Sequence, residues 1–126
     1  MYVRHFLTHW AGSPDAFAND DVEAWVDNFL APGNLQGGFN WYIAVNRARL
    51  ELIRHGPPQL APITLPVRVR WGTADPILRV EWADRLRDYF ADCDFAAVEG
   101  AGHFVARERP DVAVREIGEF FSGLPA

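Results

Sequence analysis

Four prolines, Pro57, Pro58, Pro62 and Pro66, crowd the stretch that follows Gly56, and no other feature restricts the fold as much. Proline has no amide hydrogen to donate and turns the residue before it away from the helical region, so this stretch can be neither a helix interior nor a central strand. The chain must change character there, and its hydrophobic period does. Before the prolines, apolar residues recur every three or four positions. Val22, Trp25, Val26, Phe29 and Leu30 make one stripe on a helix that Asp20 or Asp21 can cap and Pro32-Gly33 stops. Tyr2 to Trp10 predicts an earlier helix ending near Gly12, after which Ser13-Pro14 offers a new cap and first-turn proline. A third helix is expected from Asn40, after a Gly37-Gly38 loop, through Trp41, Ala44, Val45, Ala48 and Leu52 toward Gly56.

After the prolines, Val67-Arg68-Val69-Arg70-Trp71 alternates as a strand does, and Gly72 to Pro76 reads as a turn. A helix follows from about Val80 to Phe90, with Trp82, Ala83, Leu86 and Phe90 on one side. Phe95 to Val98 is a second strand, Gly100-Ala101-Gly102 a tight loop, and Pro110 to Phe121 a closing helix with Ala113, Ile117 and Phe121 inward. The order strand, helix, strand, helix is that of a parallel sheet covered by helices. The expected division is a helical region 1–56, a linker 57–66 and an α/β region 67–126. Two parallel strands alone leave both edges open. Either the edge pairs with another copy, giving a homodimer, or the two strands are the C-terminal piece of a larger sheet.

Composition narrows the function classes. With 49% hydrophobic and 13% aromatic residues among 126, the chain can bury a core, which excludes disorder as the main state. A formal net charge of -5 gives no field that favours nucleic acid or an anionic membrane. No stretch approaches the roughly 18 apolar residues of a membrane span, and Met1-Tyr2-Val3-Arg4-His5 lacks the layout of a signal peptide. The one cysteine, Cys93, excludes an intramolecular disulfide and a thiolate cage and fits a reducing compartment, so the expected location is cytoplasmic. Flanked by Asp92 and Asp94, its thiolate is disfavoured and it is a poor nucleophile. His5, His9 and His55 have no ligand spacing with carboxylates, so no metal is expected. Arg68 and Arg70, on one strand face, read as a solvated or salt-bridged pair.

The chemistry concentrates in two segments. Trp71-Gly72-Thr73-Ala74-Asp75-Pro76 ends the first strand and Gly100-Ala101-Gly102-His103-Phe104 ends the second. In a parallel sheet both emerge at the C-terminal edge, where open α/β folds bind ligands. Asp75 and His103 are thereby delivered side by side, and a carboxylate on one imidazole nitrogen fixes the tautomer and strengthens the other nitrogen as a base. This is the base-and-orienter half of a nucleophile-His-Asp triad. Taken separately, Asp75-Pro76 is also a plain turn signal and Gly102-His103 a plain loop.

"WGTADPILRVEWADRL" with "VEGAGHFVARERPDVAVREIGEFF" resembles the C-terminal end of α/β-hydrolase-fold enzymes, in the group of epoxide hydrolases and haloalkane or haloacetate dehalogenases. The resemblance implies an incomplete α/β-hydrolase fold, a helical cap followed by two parallel strand-helix units of the core sheet. It implies that Asp75 is the triad acid, although some members take that acid from an earlier strand, and that His103 is the base that activates the hydrolytic water. "GGFNWYIAVNRAR" resembles the cap segment whose tyrosine, here Tyr42, donates a hydrogen bond to the epoxide oxygen, and "YVRHFL" the segment that provides a partner, here Tyr2. Both tyrosines also suit ordinary packing. His9-Trp10 suits a halide-binding pair or, more plainly, a packed cap aromatic.

One part of the family pattern is missing from these residues: no Gly-x-Ser-x-Gly or Gly-x-Asp-x-x-Gly nucleophile turn occurs in the sequence, nor the oxyanion loop that precedes it. The chain alone is therefore expected to be inactive, and Met1 to be an internal methionine or mis-called start of a longer hydrolase. The complete enzyme would use water and no cofactor, on a small epoxide or halogenated substrate. A haloacetate dehalogenase is the alternative enzyme. A non-catalytic domain that pairs through its open sheet edge is the alternative of a different class.

Overall fold

A computed structural model describes residues 2–56 and 58–124. Met1, Pro57 of the expected linker, and Pro125 and Ala126 of the expected α/β region lie outside the described residues. The chain forms two compact units, one of Met1–Ala18 with Pro62–Ala126 and one of Asn19–Ala61. Residues 2–18, grouped by periodicity with the helical region, thus pack in the strand-bearing unit.

The unit Asn19–Ala61 contains helices α2 (Asn19–Leu30) and α3 (Asn34–His55). Asp20 and Asp21 stand inside the first turn of α2 rather than capping it, where their charge faces the unpaired amide end of the helix. Gly33, at φ 86, turns the chain left-handed into α3. Gly37-Gly38 is not a loop, because this turn has already been made and helix propagation absorbs the roughly 1 kcal/mol that each glycine costs. A Cβ on Gly38 would lie 3.7 Å from the Phe29 ring, so α3 passes close to α2 there. α3 ends with the Gly56 amide donating to the Leu52 carbonyl at 2.9 Å.

The strand-bearing unit contains α1 (Tyr2–His9), β1 (Val67–Gly72), a 3-10 helix (Val80–Asp88), β2 (Cys93–Val98), α4 (Val105–Glu108) and α5 (Pro110–Ser122). No helix starts at Pro14; the Asp15 amide instead donates to Ser13 Oγ at 3.3 Å in a short turn. β1 and β2 pair in parallel from Val67 opposite Cys93 to Gly72 opposite Val98. A single parallel bridge, Ile63 to Phe90, prolongs the pair into the proline-rich stretch. Of the face expected for the crossover helix, Ala83, Leu86 and Phe90 are half-buried, and Val80, Ala83 and Leu86 recur every third position. That is the period of a 3-10 helix, and it leaves Trp82 exposed.

Val98, Ala101 and Val112 form the buried core, with Val105 against it. α5 covers the face of the sheet that carries Arg68 and Arg70. Arg70 pairs with Glu116 at 2.6 Å and Asp94 at 3.0 Å, and Arg68 donates to the Glu116 carbonyl at 3.1 Å with its guanidinium over the Phe120 ring. Arg68 Nε also lies 2.8 Å from Asp94 Oδ2 in an ion pair. Hydrogen bonds from Arg115 and Arg70 hold the Glu116 carboxyl below its ordinary range, and one from Arg70 does the same for Asp94. Ile117 and Phe121, expected inward, are 58% and 66% exposed. Two strands, about 4.8 Å apart, are narrower than the apolar stripe of a helix roughly 10 Å across. The uncovered flank forms a groove of about 330 Å³ with Val105, Val112, Ile117 and Phe121 among its walls.

Candidate active site

Asp75 follows β1 in a turn that its own side chain builds. Oδ1 accepts the amides of Ile77 at 2.8 Å and Leu78 at 3.0 Å, and the Trp71 indole donates to the Leu78 carbonyl at 2.7 Å. Pro76, with its fixed φ, starts the reversal. His103 follows β2 through Gly100, whose φ of 72 makes the bend. The two loops are stitched together: Thr73 donates to the Val98 carbonyl at 3.1 Å, Ala74 to the Ala101 carbonyl at 2.9 Å, and the Gly100 amide to Thr73 Oγ1 at 2.9 Å. A Cβ on Gly72 would overlap the carbonyls of Ala101 and Gly102, so the strand end can approach the histidine loop only as glycine.

This brings His103 Nδ1 to 3.0 Å from Asp75 Oδ2. The Asp75 side chain is 4% exposed and that of His103 26%. With Asp75 ionised, Nδ1 carries the proton and donates it, which leaves the lone pair of Nε2 available. Nε2 has no hydrogen-bond partner among the described residues. The imidazole is held between rings: Trp10 meets it edge-on at 5.1 Å, and Phe104 at 5.4 Å. The Trp10 carbonyl accepts the His103 amide at 2.7 Å. An oriented imidazole with one nitrogen on a buried carboxylate and the other open can take a proton from water.

Tyr2 lies in the same unit, at the far end of a row of edge-packed rings that runs Tyr2 to Phe6 at 4.5 Å, Phe6 to Trp10 at 4.2 Å, and Trp10 to His103. Tyr42 lies in the other unit, on α3, 43% exposed and edge-on to Trp41 at 5.0 Å. His9 stacks on His5 at 4.1 Å, while Trp10 turns to Phe6 and His103. Among the described residues no three His, Cys, Asp or Glu side chains are grouped to hold a metal ion. Glu108 joins these loops as well. Its Oε2 accepts the amides of Gly12 at 2.8 Å and Gly102 at 2.9 Å, and its Oε1 that of Phe104 at 2.9 Å. Its partners are backbone amides, which no pattern of side chains marks; its nearness to His103 in sequence was the one available signal.

No family model matches the chain. Over 98% of its length it is 29% identical to the soluble epoxide hydrolase of Corynebacterium sp. (strain C12), of which it covers 42%. The solved epoxide hydrolase CorEH superposes on 98% of the chain with a TM-score of 0.81 and 26% identity, the chain covering 42% of it. Cfl2 from Burkholderia cenocepacia superposes on 95% with a TM-score of 0.74 and 26% identity, the chain covering 40% of it. The chain thus spans about two fifths of the length of each of these three proteins. It matches the C-terminal part of the epoxide hydrolase group, and its fold is an incomplete α/β-hydrolase fold: helices, then two parallel strand-helix units of the core sheet.

Proposed function

We propose that this chain supplies the water-activating base and the cap tyrosine of an epoxide hydrolase. In the assembled hydrolase, a carboxylate nucleophile borne by residues outside these 126 attacks an epoxide carbon. The ring C–O bond breaks and an ester forms. Tyr42, in the cap part of residues 1–56, donates a hydrogen bond to the departing alkoxide, with Tyr2 as its partner. His103 Nε2 then takes a proton from water, whose oxygen attacks the ester carbonyl and releases diol and free carboxylate. Asp75 holds the imidazole in the required tautomer and stabilises the imidazolium that forms. The observation that carries this reading is the 3.0 Å contact between His103 Nδ1 and the buried Asp75 carboxylate, at the C-terminal ends of adjacent parallel strands. The likeness to epoxide hydrolases supports the substrate class. Among the described residues no helix is long and apolar enough to cross a membrane, and the unpaired Cys93 suits a reducing, cytoplasmic setting.

The test joins the chain to a nucleophile-bearing segment and assays the assembled hydrolase on a styrene oxide-like epoxide and on a haloacetate. Diol formation is expected, with Tyr42→Phe lowering epoxide turnover about tenfold or more and leaving any haloacetate turnover unchanged. Turnover of haloacetate alone, or epoxide turnover indifferent to Tyr42→Phe, would refute the assignment.

A further inference from the structure

We infer that Glu108 is a positioning residue for His103, acting through the backbone on both sides of it; the inference rests on the reading of His103 as the base. Gly102 and Phe104 are the immediate neighbours of His103, and the amides of both donate to the one carboxylate, at 2.9 Å each. The third donor, Gly12 at 2.8 Å, belongs to the loop that follows α1. That loop also supplies the Trp10 carbonyl that accepts the His103 amide at 2.7 Å and the Trp10 ring that meets the imidazole. One side chain therefore fixes three backbone segments around a single imidazole: the residue before it, the residue after it, and the loop braced against its ring.

The chemistry of the site selects an ionised carboxylate. Three amides converge on two oxygens, so every group facing Glu108 in this cluster is a donor. A carboxylate is acceptor-only and its charge-assisted bonds are roughly twice as strong as neutral ones. A glutamine in its place must turn an NH2 toward at least one of those amides, donor against donor, and an alanine leaves all three unpaired. The segments also meet without side-chain cushions. A Cβ on Gly102 would overlap the Gly12 amide and the Trp10 carbonyl, and one on Gly12 the Gly100 carbonyl. Backbones packed this closely have no slack, so a lost amide contact moves the loop that carries His103. A displacement of about 1 Å at a reacting group costs on the order of 100-fold in rate.

The two half-reactions of the proposed chemistry distinguish a positioning residue from one that merely keeps the protein folded. Ester formation uses the nucleophile; ester hydrolysis uses His103. In rapid-quench kinetics on the assembled hydrolase, Glu108→Gln is expected to keep the burst amplitude of ester formation and to slow ester hydrolysis roughly 10-fold to 100-fold. Glu108→Asp, which keeps the charge on a shorter arm, is expected to recover part of that rate. A reduced burst with an unchanged hydrolysis rate would mean a role in folding alone and would overturn the inference, as would a hydrolysis rate indifferent to both variants. His103→Gln is the control. If it slows hydrolysis and Glu108→Gln does not, the inference fails and the proposed function stands; if His103→Gln has no effect, the proposed function itself fails. Should the Glu108 variants not fold, the unmutated protein decides. The amide protons of Gly12, Gly102 and Phe104 are expected to be protected from solvent exchange by NMR, and free exchange at Gly102 and Phe104 would overturn the inference.

Discussion

The two units of the chain are built on opposite economies of contact. In Asn19–Ala61 the side-chain hydrogen bonds from Gln36 to Asn40, Arg54 to Glu51, and Asn34 to Asn28 join residues three to six positions apart. In the strand-bearing unit, Glu108 reaches Gly12 across 96 positions, Asp75 reaches His103 across 28, and Arg70 reaches Glu116 across 46. The proposed base sits in the second kind of structure. A catalytic proton acceptor must be held to within a fraction of an ångström, and side chains and backbone drawn from distant segments over-determine its place.

Four substitutions or conditions bear on that contrast, in decreasing order of expected effect. Asp75→Asn in the assembled hydrolase reverses the tautomer of His103, since an amide NH2 would face Nδ1. The ester-hydrolysis rate constant is expected to fall about 10³-fold to 10⁴-fold in rapid-quench kinetics. Gly102→Ala places a Cβ against the Gly12 amide and the Trp10 carbonyl, neither of which can yield. Urea unfolding should show a loss of about 3 kcal/mol or more.

The acid response is smaller, and two of its carboxyls lie on the sheet face. The carboxyls of Glu116 and Asp94 titrate below their ordinary range in the folded chain. Each therefore contributes stability that is complete above the unfolded-state pKa, about 4, and is lost as pH falls through the folded value. Melting temperature should hold between neutrality and about pH 5 and drop below about pH 4, and Arg70→Met should flatten that drop. The smallest effect has the opposite sign. Gly37 lies inside α3 with nothing within 4 Å of an added Cβ, so Gly37→Ala should stabilise by about 1 kcal/mol in the same urea experiment.

The parts of this structure that follow from side-chain pattern were legible in the sequence. The alternation Val67 to Trp71 gives β1, the stripe Val22 to Leu30 gives α2, and an Asp and a His after successive strands gave a pair that meets at 3.0 Å. What was not legible depends on backbone and on area. Glu108 binds amides, and amides carry no residue signature. Residues 2–18 resemble the other helices in period, yet they pack by glycine contact against the loop of His103. Ile117 and Phe121 lie on the apolar stripe of α5, but the breadth of the sheet beneath, which no helical period encodes, decides whether they are covered. The 3-10 crossover shows the same limit: Trp82, Ala83, Leu86 and Phe90 fit one face of an α-helix, and the backbone hydrogen-bond pattern that leaves Trp82 exposed instead has no side-chain signature.

The central claim is that His103, oriented by Asp75, activates the water that cleaves an ester intermediate. It is tested most directly by intact-mass spectrometry of the assembled hydrolase carrying His103→Gln after brief exposure to an epoxide. The account predicts a stable adduct, heavier by the mass of the epoxide, on the variant and none on the unmutated enzyme. Diol release by the variant at the unmutated rate, with no adduct, would contradict it.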